Sequence, residues 1–551
     1  MDRPTPDRPP ESDEAGPDER PAADIVLEPL ADFPRIDLRT PGEPWEKRRA
    51  AGKALRAKVP HDGHGPVPLP EDRPDPVRLI EEAQTGRQER LIPLRVARMA
   101  SSPFAFLRGA ATVMAWDLAR TPTSGIDVVM NGDAHISNFG LFGTPQRDIV
   151  LDLNDFDEVT IGPWEWDLKR LCASIEVAAR DLDVPGSERR EAVIGAAYGY
   201  QHTMTELAPQ GPLDVWHRAA RAEDLDFSGI AIDEESRAVV ERAVEKARRR
   251  HNKSLLARVG ERRVDGGWRF RHDPPILTWV DGETREAVTA GLEHYAETLP
   301  RERRFMLSRY HVVDVAHRVV GVGSVGTRAY VALLCGNSDQ DVLFLQVKEA
   351  VRPAHAPYVS GMPEPYASHE GERVIYGQRL LQAVGDPLLG WTTIDGRPFY
   401  VRQMKNMKGE IPVACMRGQP LVYFSWAYGA LLARAHARTG DAAAIAGYCG
   451  RDRHADFREA LADWAGAYGE RNAEDHRLFL EAITAGRLGG GGARAGANAA
   501  PPVGGTGGGG GPPGGGAGRG GGRRGGGGPP PGRGPQPPRG PPSPPRRKTG
   551  R

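Results

Sequence analysis

Two separated stretches carry side chains whose types and spacing suit phosphoryl transfer. The first is Asn131-Gly132-Asp133-Ala134-His135-Ile136-Ser137-Asn138, followed by Asp152-Leu153-Asn154-Asp155-Phe156-Asp157-Glu158. The second is Gly321-Val322-Gly323-Ser324-Val325-Gly326, followed by Val347-Lys348-Glu349. Moving a phosphoryl group is mostly positioning and charge neutralisation. The site needs a base for the acceptor hydroxyl, ligands for Mg2+, backbone donors over the phosphates and a cation. Asp133 suits the base, and His135 can order the loop or contact phosphate. Asn138 offers an amide oxygen to metal. Asp155 is the expected principal metal ligand and Asp157 the second, because Mg2+ takes few protein carboxylates and completes its shell with water or phosphate oxygens. Gly321, Gly323, Ser324 and Gly326 are expected to cover the phosphates of ATP, and Lys348 to pair with them.

Each motif also has a plainer reading. Asp133 to Asn138 can be a polar turn held by local backbone bonds. Four carboxylates between Asp152 and Glu158 repel one another unless a cation sits among them; a solvated acidic loop is the alternative. Lys348 sits in an apolar strand pattern, where its charge needs a partner. A phosphate oxygen or a helix carboxylate such as Glu370 or Glu372 would serve, and an edge-strand lysine reaching solvent is the alternative. Arg108, in an apolar helical stretch, can reach a substrate phosphate, pair with the acidic cluster or form a structural ion pair. Asp167, in Trp164-Glu165-Trp166-Asp167, can cap a helix or accept backbone N–H groups.

These side chains must be positioned by regular elements. Ile126 to Met130 is a short apolar run suited to a buried strand just before Asp133. Residues 139–142 and 148–153 alternate around Gly143 to Arg147 and read as a hairpin delivering the acids. The glycine pattern has apolar flanks on both sides, which implies strand, turn, strand, and disfavours a dinucleotide fold. Residues 330–334 and 342–347 form a further hairpin around Gly336 to Asp339, and Pro398 to Met404 reads as a strand. Helical periodicity marks 75–120, 164–183, 187–207, 234–251, 369–383, 420–437 and 454–486.

The chain carries no net formal charge at pH 7, but unevenly. From Arg487 onward there are arginines and one lysine and no Asp or Glu, so the remainder is acidic, which argues against a duplex-binding surface there. Residues 1–24 and 488–551 lack the bulky apolar side chains needed to offset ordering entropy and are expected to be disordered. The cysteines Cys172, Cys335, Cys415 and Cys449 have no metal or redox spacing, which predicts free thiols. Neither a signal peptide nor a bilayer-spanning run is legible, so a cytoplasmic location is expected.

At these residues the chain resembles aminoglycoside phosphotransferases and other protein-kinase-like enzymes. Asp133 to Asn138 is similar to their catalytic loop, Asp155 to their metal-binding segment and Asp167 to their helix-start aspartate. Leu431-Leu432-Ala433-Arg434-Ala435-His436-Ala437 is similar to the helix that precedes that loop. Residues 45 to 485 also resemble a bacterial family catalogued as domain of unknown function 2252, on Ser102 to Gly109, Gly132 to His135, Asn154 to Glu158, Trp164 to Asp167, Gln346 to Ala350 and Ala435 to Arg438. Kinase-like chains place the glycine loop first; here it comes last. The resemblance therefore implies an α+β, protein-kinase-like two-lobe fold, circularly permuted, with an added N-terminal helical arm and disordered tails. Its parts would be a tail (1–24), the arm (25–120), the catalytic and metal-binding part of the helical lobe (121–305), a β-rich nucleotide lobe (306–410), completing helices (411–487) and a Gly/Pro/Arg-rich tail (488–551). The strand at 398–404 would be the linker touching adenine. Asn131 stands where the superfamily usually has His, and the spacing from Asn138 to Asp155 is a few residues longer than usual.

The expected function is an ATP- and Mg2+-dependent phosphotransferase with nucleotide and an unknown phosphate acceptor as partners. A nucleotide-binding regulatory module of pseudokinase type, without turnover, is the alternative. A metallophosphoesterase would want further histidines in Asn-His and Gly-His-x-His contexts, and these are missing. The Arg/Gly tail lacks aromatic residues for base stacking, so nucleic acid is expected at most as a weak contact there. No membrane partner is expected.

Overall fold

The computed structural model describes residues 38–488, apart from Leu69, 222–231, Asp265, Val320, Val322, 364–367, Lys405, Asn406 and 451–453. The segment 1–24 and the C-terminal tail beyond Leu488, both expected to be disordered, lie outside the described residues. The fold is mixed α+β, with antiparallel sheets and long helices. No helix among the described residues is long and apolar enough to cross a membrane.

A six-stranded antiparallel sheet carries the lysine and the glycine loop. Strands His311–Arg318 and Ala329–Cys335 flank the glycines, and Val342–Glu349 follows, paired with Ala329–Cys335 on one side and Arg397–Gln403 on the other. Gly390–Ile394 and Leu277–Trp279 form the two edges. Alternation decides the faces. Leu343, Leu345 and Val347 join the core beneath helix Gly282–Glu297, whereas Val342 and Phe344 pack toward Phe270 on the opposite side. Lys348 lies opposite Ala329 and Tyr400, so the strand that carries it has neighbours on both edges. That overturns the edge-strand alternative.

The larger core belongs to the helices. Gly186–Leu207 and Gln419–Ala437 pack with their backbones in close approach: a Cβ added at Gly429 would fall 2.0 Å from the Ala196 carbonyl oxygen, and one at Gly199 would fall 2.2 Å from that of Trp426. Trp164–Asp181 and Asp456–Thr484 complete the bundle, with Trp164 fully buried and stacked on Tyr200. The N-terminal arm is a set of short helices, Pro76–Glu82, Ile92–Met99, Pro103–Gly109 and Ala111–Leu118, rather than one continuous run. Pro76, Pro93 and Pro103 sit in their first turns, where a missing N–H costs nothing. Arg73 ties the arm to the C-terminal helix through Asp117 and Asp475. All four cysteines are free, three buried and Cys415 half-buried.

Candidate active site

Strand Asp127–Met130 ends at the loop of Asp133, and helix Trp164–Asp181 shapes that loop. Asp167 accepts the N–H groups of Asn131 (2.6 Å) and Gly132 (2.9 Å), and His436 Nε2 lies 3.1 Å from it. Of its two expected roles, it therefore binds the loop backbone. Gly132 has φ +77°, and a Cβ there would fall 2.1 Å from the Glu158 carbonyl oxygen, so only glycine fits. Tyr200 Oη lies 2.8 Å from His436 Nδ1, which orients the imidazole toward Asp167. Arg170, one turn further along the helix, forks onto Asp133 Oδ1 at 2.9 and 2.7 Å.

The hairpin Phe139–Gly143 and Ile149–Leu153 delivers the acids, and each meets its own partner. Asp152 is buried against Arg434 of helix Gln419–Ala437. Asp155 takes the Asn138 Oδ1 as acceptor for its N–H at 2.6 Å, and nearly half of its side chain (48 %) remains open. Asp157 accepts from Lys348 Nζ through Oδ2 and from Tyr400 Oη (2.7 Å) through Oδ1. Lys348 Nζ is also 3.8 Å from Asp155 Oδ1. The helix carboxylates expected as lysine partners are not used: Glu370 pairs with Arg373, which itself donates to the Asp157 and Val159 carbonyls.

Electrostatics follow from burial. Burial pushes the Asp133 carboxyl above its usual range, with Arg170 opposing. Burial, then Arg108 and Arg170, holds the His135 imidazole well below its usual value, so it is neutral. The enclosing cleft walls push Asp155 up, but Lys348, Arg402 and Lys408 outweigh this and hold it low. Burial disfavours the Lys348 charge, yet Asp155 and Asp157 override it and the ammonium is retained.

Asp133, His135, Asn138, Asp155, Asp157, Gly321, Gly323 and Ser324 all border one cleft of about 720 Å3. Lys348 stands directly behind Asp155 and Asp157. Gly326 is turned to the arm, where its carbonyl accepts the Gln88 N–H at 2.7 Å. Asn138 spends most of its amide locally: Nδ2 donates to Asn131 Oδ1 and to the Asp133 and Asp155 carbonyls. A metal would have to use the second lone pair of its oxygen. Among the described residues no three His, Cys, Asp or Glu converge as a metal site. One or two carboxylates suffice for Mg2+ bound with phosphate, and the half-open Asp155 fits that need.

Sequence reasoning assigned no role to Arg170, Arg402 or Glu349. Arg170 had a legible signal, a cation inside the apolar helix of Trp166, Leu168 and Leu171, where it must find a carboxylate. Glu349 is buried between Arg328 and Arg397 and gave no such signal. Arg108, expected to pair with acids or phosphate, makes no ion pair among the described residues.

Residues 87–482 match the family described as uncharacterized protein conserved in bacteria (DUF2252), and the chain belongs to that family. No curated protein and no solved structure matches it.

Proposed function

We propose that the chain is an ATP- and Mg2+-dependent phosphotransferase of circularly permuted, kinase-like design acting on a hydroxyl acceptor. The observation that carries this is the meeting of Lys348 with Asp155 and Asp157 at the floor of a cleft also bordered by the glycine loop and Asp133. Asp133 would take the acceptor proton as the acceptor oxygen bonds to the γ-phosphorus. The bond from that phosphorus to the β–γ bridging oxygen breaks, and ADP leaves with the electron pair. Mg2+ held by Asp155, with Asn138 or Asp157, would supply charge neutralisation of the phosphates. A raised Asp133 suits proton abstraction near neutral pH.

Support for the permutation comes from the end of helix Gln419–Ala437. Thr439 Oγ1, just past it, accepts the Val129 N–H at 3.2 Å, within the strand that leads to Asp133. The helix thus stops where an unpermuted chain would run on into the catalytic loop. The strand Gly409–Glu410 pairs with Leu141 and Gly140, so the chain after Gln403 passes beside the acid-bearing hairpin before entering that helix.

The Arg170 fork on Asp133 favours a second reading, a nucleotide-binding regulatory module without turnover, because an ion-paired carboxylate is a weaker base. Isothermal titration with ATP and Mg2+, beside an ADP-release assay, separates the two. Wild type is expected to bind ATP in a Mg2+-dependent way. Asp155→Asn is expected to lose at least about tenfold of that affinity. ATP binding without ADP release selects the regulatory module; no ATP binding ends both readings.

A further inference from the structure

The arm wall of the cleft holds arginines that form no ion pair among the described residues. Arg95 is 2 % exposed; its Nη2 donates to the Gly109 carbonyl at 2.7 Å, but Nε and Nη1 are buried without a hydrogen-bond partner. Arg108, next to Gly109, likewise has a buried, unpartnered Nε, and makes no hydrogen bond or ion pair among the described residues. Arg87 spends Nε and Nη1 on the Ala83 and Val325 carbonyls and forms no ion pair among the described residues. All three border the cleft, as do Thr85 and Thr112. Arg73 of the same arm shows what a structural arginine looks like here: two carboxylates, Asp117 and Asp475, take four of its hydrogen bonds at 2.7 to 2.9 Å. Burying a guanidinium without an anion is costly. Burial, with Arg87 adding to it, lowers Arg95 to about 9.

We infer that the arm is an acceptor-recognition wall, and that the molecule docking on Arg95 and Arg108 carries a phosphate group. Guanidinium forks match phosphate oxygens in geometry and charge, and several arginines facing one space suit a dianion better than a carboxylate. Arg108 stands on the Asp133 side of the cleft. The charges that act on it most are Asp133, Glu410 and Asp155, and its own charge acts on His135. A phosphate held there leaves the rest of the molecule to present a hydroxyl to Asp133. The glycine loop remains for the nucleotide. This rests on the phosphotransferase reading only for calling the docked molecule an acceptor; the anion site itself does not.

Titration of inorganic phosphate into the full chain, with Mg2+ and a saturating non-hydrolysable ATP analogue, tests it. Phosphate is expected to bind in the presence of the analogue. Arg95→Gln and Arg108→Gln are each expected to weaken phosphate at least about tenfold while analogue affinity stays within about twofold. Arg108→Lys, which keeps the charge, is expected to retain phosphate binding and guards against a variant that merely misfolds. Absence of phosphate binding to wild type overturns the inference. So does displacement of phosphate by the analogue, or joint loss of both in the glutamine variants, since the arginines would then serve the nucleotide's own phosphates. Phosphate binding without analogue binding upholds the anion site and defeats the phosphotransferase reading instead.

Discussion

Lys348 and Asp157 lie 191 residues apart in sequence, yet the buried ammonium donates directly to the carboxylate. Lys348 therefore stabilises the fold as well as the site: it offsets two acids, Asp155 and Asp157. Replacing it by methionine removes the cation bonded to Asp157 and leaves Asp155 with Arg402 and Lys408. Lys348→Met is expected to lower the unfolding free energy by about 3 kcal/mol, read from urea denaturation. Adding Asp157→Asn is expected to recover part of the loss. An unchanged urea midpoint in the single variant would contradict this account.

The loop at Asp133 is held by Asp167. Its two oxygens each take a backbone N–H, and His436 approaches the second of them. An asparagine can present only one oxygen, so its amide N–H2 would face an N–H donor. Asp167→Asn is expected to cost about 1–3 kcal/mol and to lower ADP release further than stability alone explains. Circular dichroism melts beside turnover at a temperature where the variant is folded check both parts.

Glu158 gives the cleft a pH response. Burial first, with Asp133 and Asp157 adding and the Ala354 N–H opposing, pushes its carboxyl up to about 7. A carboxyl raised above its unfolded value of about 4.3 favours the native state while protonated. That contribution is fully present below the unfolded value and is lost as pH rises through about 7. Glu158→Gln is expected to flatten the fall in Tm between pH 5 and pH 8, and the gap between variant and wild type at pH 8 should be about 2 °C or more. Parallel Tm profiles would refute it.

Gly429 and Gly199 let two helices touch backbone to backbone. With 2.0 Å between a built Cβ and the Ala196 oxygen, no side-chain rotation relieves the clash. Gly429→Val is expected to destabilise by about 3 kcal/mol or more, seen as a large drop in Tm or in soluble yield. Gly466→Ala, on an open face of helix Asp456–Thr484, serves as the control and is expected to hold or raise Tm.

Much of the local structure was legible because the patterns were long. The apolar run of 342–347, the turn chemistry at Gly336 to Asp339 and the helical stripes of 164–183 and 420–437 each coincide with an element. Lys348 and Asp155 were expected in one site as contacts of one nucleotide; their direct approach was not, because a phosphate oxygen or a helix carboxylate was the expected partner of the lysine. The stretch between 252 and 307 was not legible. Its strands Gly260–Arg262, Trp268–Phe270 and Leu277–Trp279 are too short to alternate, and helix Gly282–Glu297 buries only Val288, Gly291, Leu292 and Tyr295. The lysine's particular partner was missed for a different reason. Glu370 and Asp157 are equivalent in charge, but Glu370 pairs with Arg373 of its own helix, whereas Asp157 meets Lys348.

The Gln88 N–H on the Gly326 carbonyl, Arg87 on that of Val325 and Arg98 on that of Gly321 fasten the glycine turn to the arm. Such a turn has no independent hinge. Lifting it breaks three bonds worth about 1 kcal/mol each, so isotope exchange at the turn is expected to keep pace with that of helix Ile92–Met99.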